Sequence, residues 1–317
     1  MHSPERCPCC GGGPRAPWKP GEPAVLACPA CGGSSLAALP APTAAADLYQ
    51  AEYYAETSGG RFLGLAERAI VALKDTRVRA ILARKAGPGS LLDVGCGRGD
   101  LLERFQARGW WAEGTQVSRT AAASATARGL TVHLGDLPGL GLAEGSFDVI
   151  TFFHVLEHLP DPAAYLECAG RLLRQDGLLV VEVPEAGGLG WRILGRRHLC
   201  FDHPHHLHFF TPAALRALAG RCGFQVEGET HFSIEYSAFT LLQNLLNLLP
   251  GEPNRLYRSL MQNPDGARLR RQPATWLHGI LGALLGLPAF LSAFGSLVVP
   301  RGNTMRFYFR KGSGDAL

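Results

Sequence analysis

Leu91-Leu92-Asp93-Val94-Gly95-Cys96-Gly97-Arg98-Gly99-Asp100 passes from an apolar strand through alternating glycines toward a helix. Glycines at such a place let the backbone turn tightly and approach a ligand at the carboxyl end of a strand, where open α/β sheets bind their ligands. A dinucleotide fingerprint has the spacing Gly-x-Gly-x-x-Gly, whereas this one is Asp-x-Gly-x-Gly-x-Gly. A carboxylate two residues before the first glycine would be repelled by a pyrophosphate, but it suits a ligand carrying an ammonium and a sulfonium. Asp93, Gly95, Cys96 and Gly97 are therefore candidate cofactor contacts, against the alternative of a strained turn without a ligand.

On both sides of this turn, apolar strands alternate with amphipathic helices. Strands are expected at 90–94, 110–116, 131–134, 147–155 and 177–184, with helices near 100–108, 119–128 and 162–173. A helix at 212–222, a strand at 225–232 and a final strand at 305–310 follow. Such alternation predicts an α/β fold with a doubly wound parallel sheet covered on both faces. The expected divisions are cysteine knuckles over 1–40, a linker and N-terminal helices over 41–89, and a core over 90–234. A hydrophobic helical insertion over 235–303 and a last strand and tail over 304–317 complete the chain.

The glycine segment resembles motif I of the class I S-adenosylmethionine-dependent methyltransferases, and the element order over about residues 45 to 310 resembles that fold. The resemblance implies a seven-stranded, mostly parallel sheet with S-adenosyl-L-methionine as cofactor. An acid after the second strand binds the ribose in that family, and the matching position is Gln116, which accepts a hydroxyl proton without charge assistance. Glu113, three residues earlier on a strand, is expected to face the other way. The adenine contact falls on Asp136, with Leu137 beside it, and 147–150 matches the fourth strand. Gln116 also supports a competing reading, a catalytically degenerate methyltransferase fold serving as an interaction module at a membrane surface.

Methyl transfer needs an aligned nucleophile and a place for its proton. His154-Val155-Leu156-Glu157-His158 stands right after the fourth strand, and His154, Glu157 and His158 would share a face if a helix began there. They are candidates for activating an acceptor or holding a divalent metal. The place resembles the acidic metal-binding motif of ubiquinone-biosynthesis O-methyltransferases, which have a glutamate at the position of His154. A second cluster, His198 to Pro212, carries five of the 11 histidines. It resembles an Asp-x-Pro-x-His-Leu-x-x-Phe segment of polysaccharide and natural-product methyltransferases, matched by Asp202, Pro204, His206, Leu207 and Phe210. His206 is the first candidate for a base or orienting group, and Thr211 is expected to cap the next helix. An oxygen of a sugar, lipid or polyketide-like small molecule is the expected acceptor.

Five of the 9 cysteines fall within the first 31 residues. Cys7 and Cys10 form one CxxC knuckle and Cys28 and Cys31 another, each followed by glycines. Four thiolates so placed predict a structural zinc ribbon, with Cys9 as the spare. The remaining cysteines are scattered, which is no disulfide framework, and the N-terminus has no apolar signal-peptide core; a cytoplasmic protein is expected. With 31 basic and 27 acidic residues the formal net charge is +4, without a basic stripe, so nucleic acid is not an expected partner. Between Arg271 and Arg301 there is no Asp, Glu, Lys or Arg. This stretch is long enough to span a bilayer, but glycines and a proline interrupt it, and neighbouring flanking strands would return both ends to one side. With 236–249 it is expected to form a helical hairpin that dips into the membrane interface at the inner face, the alternative being a buried pair of helices closing over the active site or forming a dimer contact.

Overall fold

The computed structural model describes residues 6–13, 15–19, 22–39, 73–234, 236–293 and 304–312. Most of the linker and N-terminal helices expected over 41–89 and the end of the insertion lie outside them. Three short strands open the chain: β1 (Ala16–Lys19), β2 (Glu22–Ala27) and β3 (Ser34–Leu36). Helix α1 (Asp75–Leu82) then leads into β4 (Ser90–Val94), α2 (Asp100–Gln106), β5 (Trp111–Gln116), α3 (Arg119–Thr126) and β6 (Thr131–Leu134). The second half contributes β7 (Phe147–Phe153), α4 (Pro162–Leu172), β8 (Leu173–Pro184), α5 (Leu189–Leu194), β9 (His208–Phe209), α6 (Pro212–Arg221) and β10 (Phe224–Thr230).

The main sheet has seven strands in the order β10-β11-β8-β7-β4-β5-β6, where β11 is Thr304–Lys311. Pairing of β4, β5, β6, β7 and β8 is parallel, while β11 runs antiparallel between β8 and β10. The order turns at β4, so the ends of β4 and β7 frame the crevice in which such sheets bind ligands. Alternation along the strands builds a core on each face. Leu92, Val94, Ile150, Phe152 and Val181 pack toward α4 and α6, and Leu91, Val149, Leu178 and Val180 toward α1 and α2. Sequence-local signals set the helix starts: Ser118, Asp161 and Thr211 each accept a hydrogen bond from a backbone N–H three residues on. Pro162 and Pro212 occupy first-turn positions whose missing N–H costs nothing.

Two elements differ from the sequence reading. Strand β7 stops at Phe153 rather than 155, because His154 adopts a positive φ of 56° and turns the chain. No α-helix starts there; Leu156–His158 form a single 3-10 turn. Strand β8 begins four residues earlier than the 177–184 expectation, directly after α4.

The N-terminal strands do not stand apart. They form a four-stranded sheet in the order β1-β2-β3-β9, whose last strand belongs to the histidine-rich loop before α6. Ser34 pairs with Phe209 and Ser35 with His208, and Leu36 N–H donates to the Leu207 carbonyl at 2.9 Å. Val25, Leu36, Trp191, Phe201, Leu207 and Phe209 make one small core beneath that sheet.

The insertion contains α7 (Ser237–Leu246), α8 (Arg255–Ser259), α9 (Pro264–Arg270) and α10 (Pro273–Ala293). Leu242 and Leu246 of α7 pack on Leu281 and Ala289 of α10. Helix α10 is long and apolar enough to cross a membrane by length and composition. Because Thr230 pairs with Arg306, both ends of the insertion return to the same sheet edge, which a lone crossing helix would not allow.

Candidate functional site

The glycine turn is built by backbone freedom. Gly95, Gly97 and Gly99 have φ of 69°, 58° and 82°, in the left-handed region where a Cβ is costly. A Cβ on Gly95 would come 2.6 Å from Val155 Cγ2, so the segment after β7 lies directly against the turn. Cys96 is buried, and its thiol occupies the space that a side chain on Gly114 would need. Asp93 ends β4 almost wholly buried, accepting a 2.6 Å hydrogen bond from Thr151 Oγ1. Burial pushes its carboxyl up to about 6 despite that bond and the charges of Arg77 and Lys74.

Gln116 is buried at the end of β5, and its carbonyl oxygen already accepts the Ser118 N–H at 3.0 Å. Glu113 lies on the opposite side, bonded to Trp111 and, at 2.6 Å, to His133, as the strand alternation requires. Asp136 is exposed at the start of the 3-10 turn Leu137–Gly139 beyond β6, whereas the Leu137 side chain enters the core. Asp148 stands at the other end of the sheet, holding Ser90 N–H at 2.9 Å, and belongs to the scaffold. These features fit a nucleoside-bearing cation: positive-φ glycines keep the crevice floor free of Cβ atoms, and a desolvated carboxylate waits at its edge.

The residues expected to serve the acceptor begin in the turn after β7, beside Val155. His154 Nε2 lies 3.2 Å from Glu182 Oε1, and its Nδ1 lies 3.4 Å from Glu157 Oε1. Burial alone would lower its pKa, but the two carboxylates outweigh that and raise it to about 9, so His154 is a cation at neutral pH. Glu182, fully buried on β8, also binds Arg77 Nη2 at 2.7 Å and Arg306 Nε at 2.6 Å. One carboxylate therefore anchors α1, β11 and the turn after β7. Sequence reading missed Glu182, although a lone acid in the run Leu178-Leu179-Val180-Val181-Glu182-Val183 is the kind of signal that marks it.

His158 and His206 come together from segments 48 residues apart, with ring centroids separated by 4.7 Å. His158 Nδ1–H donates to the His205 carbonyl at 2.9 Å and His206 Nδ1–H to the Cys200 carbonyl at 2.8 Å. Burial takes His158 down to about 4, so it is neutral. Glu157 completes the group, with one carboxylate oxygen 3.9 Å from His158 Nε2. The other loop histidines divide as follows: His203 is exposed, His205 reaches Asp202 at 3.3 Å, and His208 reaches the Leu159 carbonyl at 3.0 Å. Thr211 caps α6 as expected and also donates to the Cys31 carbonyl at 2.6 Å.

Cys7, Cys10, Cys28 and Cys31 converge, each pair of sulfurs lying within 4.8 Å. Cys7 and Cys31, and likewise Cys10 and Cys28, are 3.6 Å apart. A tetrahedral zinc with Zn–S of about 2.3 Å spaces its sulfurs by about 3.8 Å, so the four thiols fit that ion. Cys9, the fifth, is buried and bonds the Cys7 sulfur rather than joining the set.

The strand order, with its antiparallel β11 beside β10, and the glycine turn at the switch point define a Rossmann-like methyltransferase. Known proteins agree. The profile of a family described as a methyltransferase domain matches residues 65–229. A ubiquinone biosynthesis O-methyltransferase of Pseudomonas paraeruginosa is 30% identical over 164 residues, covering 47% of this chain and 68% of that protein. One from Methylococcus capsulatus is 34% identical over 171 residues, covering 50% and 72%. Among solved structures, one described as a sarcosine dimethylglycine methyltransferase from Galdieria sulphuraria shares the fold, with a TM-score of 0.50 at 14% identity. That match covers 85% of this chain and 98% of the other. The chain belongs to the methyltransferase-domain family and is an S-adenosylmethionine-dependent methyltransferase.

Proposed function

We propose that this enzyme O-methylates a hydroxyl of a small molecule, a sugar, a lipid or a polyketide-like acceptor. The observation that carries the reading is the Glu157–His158–His206 group seated against the cofactor turn through Val155. Asp93 would hold the ammonium end of the cofactor, Gly95, Cys96 and Gly97 its close approach, and Gln116, Asp136 and the backbone of Leu137, whose side chain is in the core, the nucleoside. When bound, S-adenosylmethionine supplies a methyl on a positively charged sulfur. The acceptor oxygen gains that methyl and must shed a proton, and the group of two imidazoles and one carboxylate is where this chain can orient the oxygen and receive the charge. His154, already protonated, serves by fixing Glu157 and Glu182 in place. The relatives' ubiquinone-biosynthesis chemistry supports a hydroxyl acceptor.

The four-cysteine site is read as zinc. Its ribbon supplies the strand that pairs with β9, so the metal holds the acceptor loop in register. The insertion is read as a contact with the inner, cytoplasmic face of a membrane. Trp276, Ile280, Leu284, Leu287 and Leu291 recur along one side of α10, each more than half exposed, and Arg270 and Arg271 precede them where anionic headgroups would sit. Asn244 of α7 bonds His198 at 2.8 Å and Leu199 N–H at 2.8 Å, tying this surface to the root of the acceptor loop. An acceptor with a lipid tail fits that continuity.

The test is transfer of a labelled methyl from S-adenosylmethionine to a panel of phenols, sugars and lipid-linked hydroxyls, with and without anionic vesicles. Methyl ethers as products support the reading; transfer only to nitrogen or carbon overturns it. Flotation with vesicles reads the membrane contact separately, and recovery wholly in the soluble fraction counts against it.

A further inference from the structure

We infer that Tyr236, delivered at the entry to the insertion, is a positioning residue of the acceptor site, whose aromatic ring holds the His154 ring where it steadies Glu157. The inference rests on the reading of Glu157, His158 and His206 as the group that orients an acceptor hydroxyl, and deepens it.

The His154 ring is met at its edges by carboxylates and needs support on its face. Its φ of 56° is uncommon for a residue with a side chain, so the backbone by itself does not favour this placement. Nε2 lies 3.2 Å from Glu182 and Nδ1 3.4 Å from Glu157, at or beyond the long end of hydrogen bonding, so these edge contacts alone hold the ring loosely. The half-buried Tyr236 lies against it, with ring centroids 4.3 Å apart and planes tilted by 51°. His154 is positively charged at neutral pH, and the quadrupole of an aromatic ring attracts a neighbouring cation. Arg77, bound to the same Glu182, has its guanidinium carbon 5.6 Å from the Tyr236 centroid. Tyr236 thus covers two of the three cations gathered on that carboxylate, His154 and Arg77 but not Arg306, and shields their ion pairs from water, which strengthens them.

The chain is pinned so as to put Tyr236 there. Beyond β10, the buried His231 donates through Nδ1–H to Glu185, just past the end of β8, at 2.8 Å. Ser233 and Ser237 then close a turn around Tyr236: the Ser237 N–H donates to the Ser233 carbonyl at 2.7 Å, and the Ser233 N–H to Ser237 Oγ at 2.9 Å. At the far end of α7, Arg197 donates to the carbonyls of Asn247, Leu249 and Gly251 at 2.9, 2.7 and 3.0 Å. Helix α7 is therefore fastened at both ends, by its entry to the end of β8 and by its exit to the residue just ahead of the loop that carries His206. From Tyr236 the contact passes through His154 Nδ1 to Glu157 Oε1, which lies 3.9 Å from His158 Nε2. Without the aromatic ring His154 can turn aside, and Glu157 loses the partner that fixes its carboxylate.

The experiment compares full-length wild type with Tyr236→Phe, Tyr236→Leu and Tyr236→Ala. Turnover is followed with whichever hydroxyl of the phenol, sugar and lipid-linked panel is methylated fastest. The His154 ring N–H protons are followed by NMR in histidine-labelled protein, assigned by their loss in His154→Gln. S-adenosylhomocysteine affinity and cooperative urea unfolding report on the fold. Tyr236→Ala should lower kcat about tenfold with S-adenosylhomocysteine affinity held within about twofold, and its His154 N–H protons should exchange with water at least about tenfold faster. Tyr236→Phe should retain both wild-type behaviours, and Tyr236→Leu, which fills space without an aromatic face, should retain neither. The last two variants decide the matter should Tyr236→Ala not fold. Unchanged His154 N–H exchange in Tyr236→Ala overturns the inference even if turnover falls, as does the absence of protected His154 N–H protons in wild type. Wild-type behaviour of Tyr236→Leu reduces the ring to packing and overturns it too. A loss in Tyr236→Phe equal to that in Tyr236→Leu assigns the effect to the hydroxyl and does the same. Methyl transfer only to nitrogen or carbon, with the NMR results as expected, strikes the hydroxyl-acceptor reading and leaves the placement of His154 by Tyr236 standing.

Discussion

Among the residues proposed to hold the cofactor, Asp93, Gly95 and Gly97 belong to one continuous stretch, and Gln116 ends the neighbouring parallel strand. Among those proposed for the acceptor, Glu157 and His158 come from the turn after β7, and His206 from a loop paired through its end to the N-terminal strands and tied through His198 to the insertion. The first half is local, so a single substitution should abolish it without touching the second. The other depends on distant segments staying docked, so it should fail from several directions while cofactor binding survives.

The largest effect should come from the anchor shared by both halves. Glu182→Ala leaves Arg77, Arg306 and His154 as buried charges without their common partner, and a loss of about 3–5 kcal/mol in unfolding free energy is expected by urea denaturation. Next, Gly97→Asp places a side chain at φ of 58° in the turn and should weaken S-adenosylhomocysteine binding on the order of 100-fold, about 2.7 kcal/mol, by calorimetry. An undiminished affinity would show that the cofactor half does not depend on this turn.

Replacing Cys28 and Cys31 by serine, so that the four-cysteine site can no longer hold the proposed zinc, should release β3 from β9 and lower turnover by about 10²-fold, with cofactor affinity held within about twofold. Equal loss of both would break the contrast between the halves. His206→Ala should likewise cut turnover by about 10²-fold while sparing cofactor binding.

The smallest effect is in pH. The Asp93 carboxyl stands near 6 because of burial, and a bound ammonium would pull it lower. Protonation therefore competes with the cofactor, and affinity should be full above about pH 6 and fall by up to about tenfold per unit below it. Asp93→Asn should flatten that profile in titrations from about pH 5 to 8.

The glycine turn proposed for the cofactor was legible as a turn because its determinants are short-range. Positive-φ glycines, a strand-end acid and alternating apolar residues leave their mark within ten residues, and the knuckles Cys7–Cys10 and Cys28–Cys31 are equally local. The acceptor residues could be named one by one, but not their roles. A helix beginning at His154 would have put His154, Glu157 and His158 on one face, and instead the positive φ at His154 turns its ring to Glu182. Glu182 itself passed unnoticed inside a strand, since only its partners Arg77 and Arg306, 105 and 124 residues away, reveal what it holds.

By itself the sequence determined the doubly wound sheet, the glycine turn and the cysteine quartet, because hydrophobic period, backbone freedom and ligand spacing act between near neighbours. Only the tertiary structure decided that His158 and His206 face each other across Glu157, that the ribbon's sheet ends in the acceptor loop, and which histidine is charged. Those outcomes depend on burial and on charges brought together from remote parts of the chain, and no local pattern encodes either.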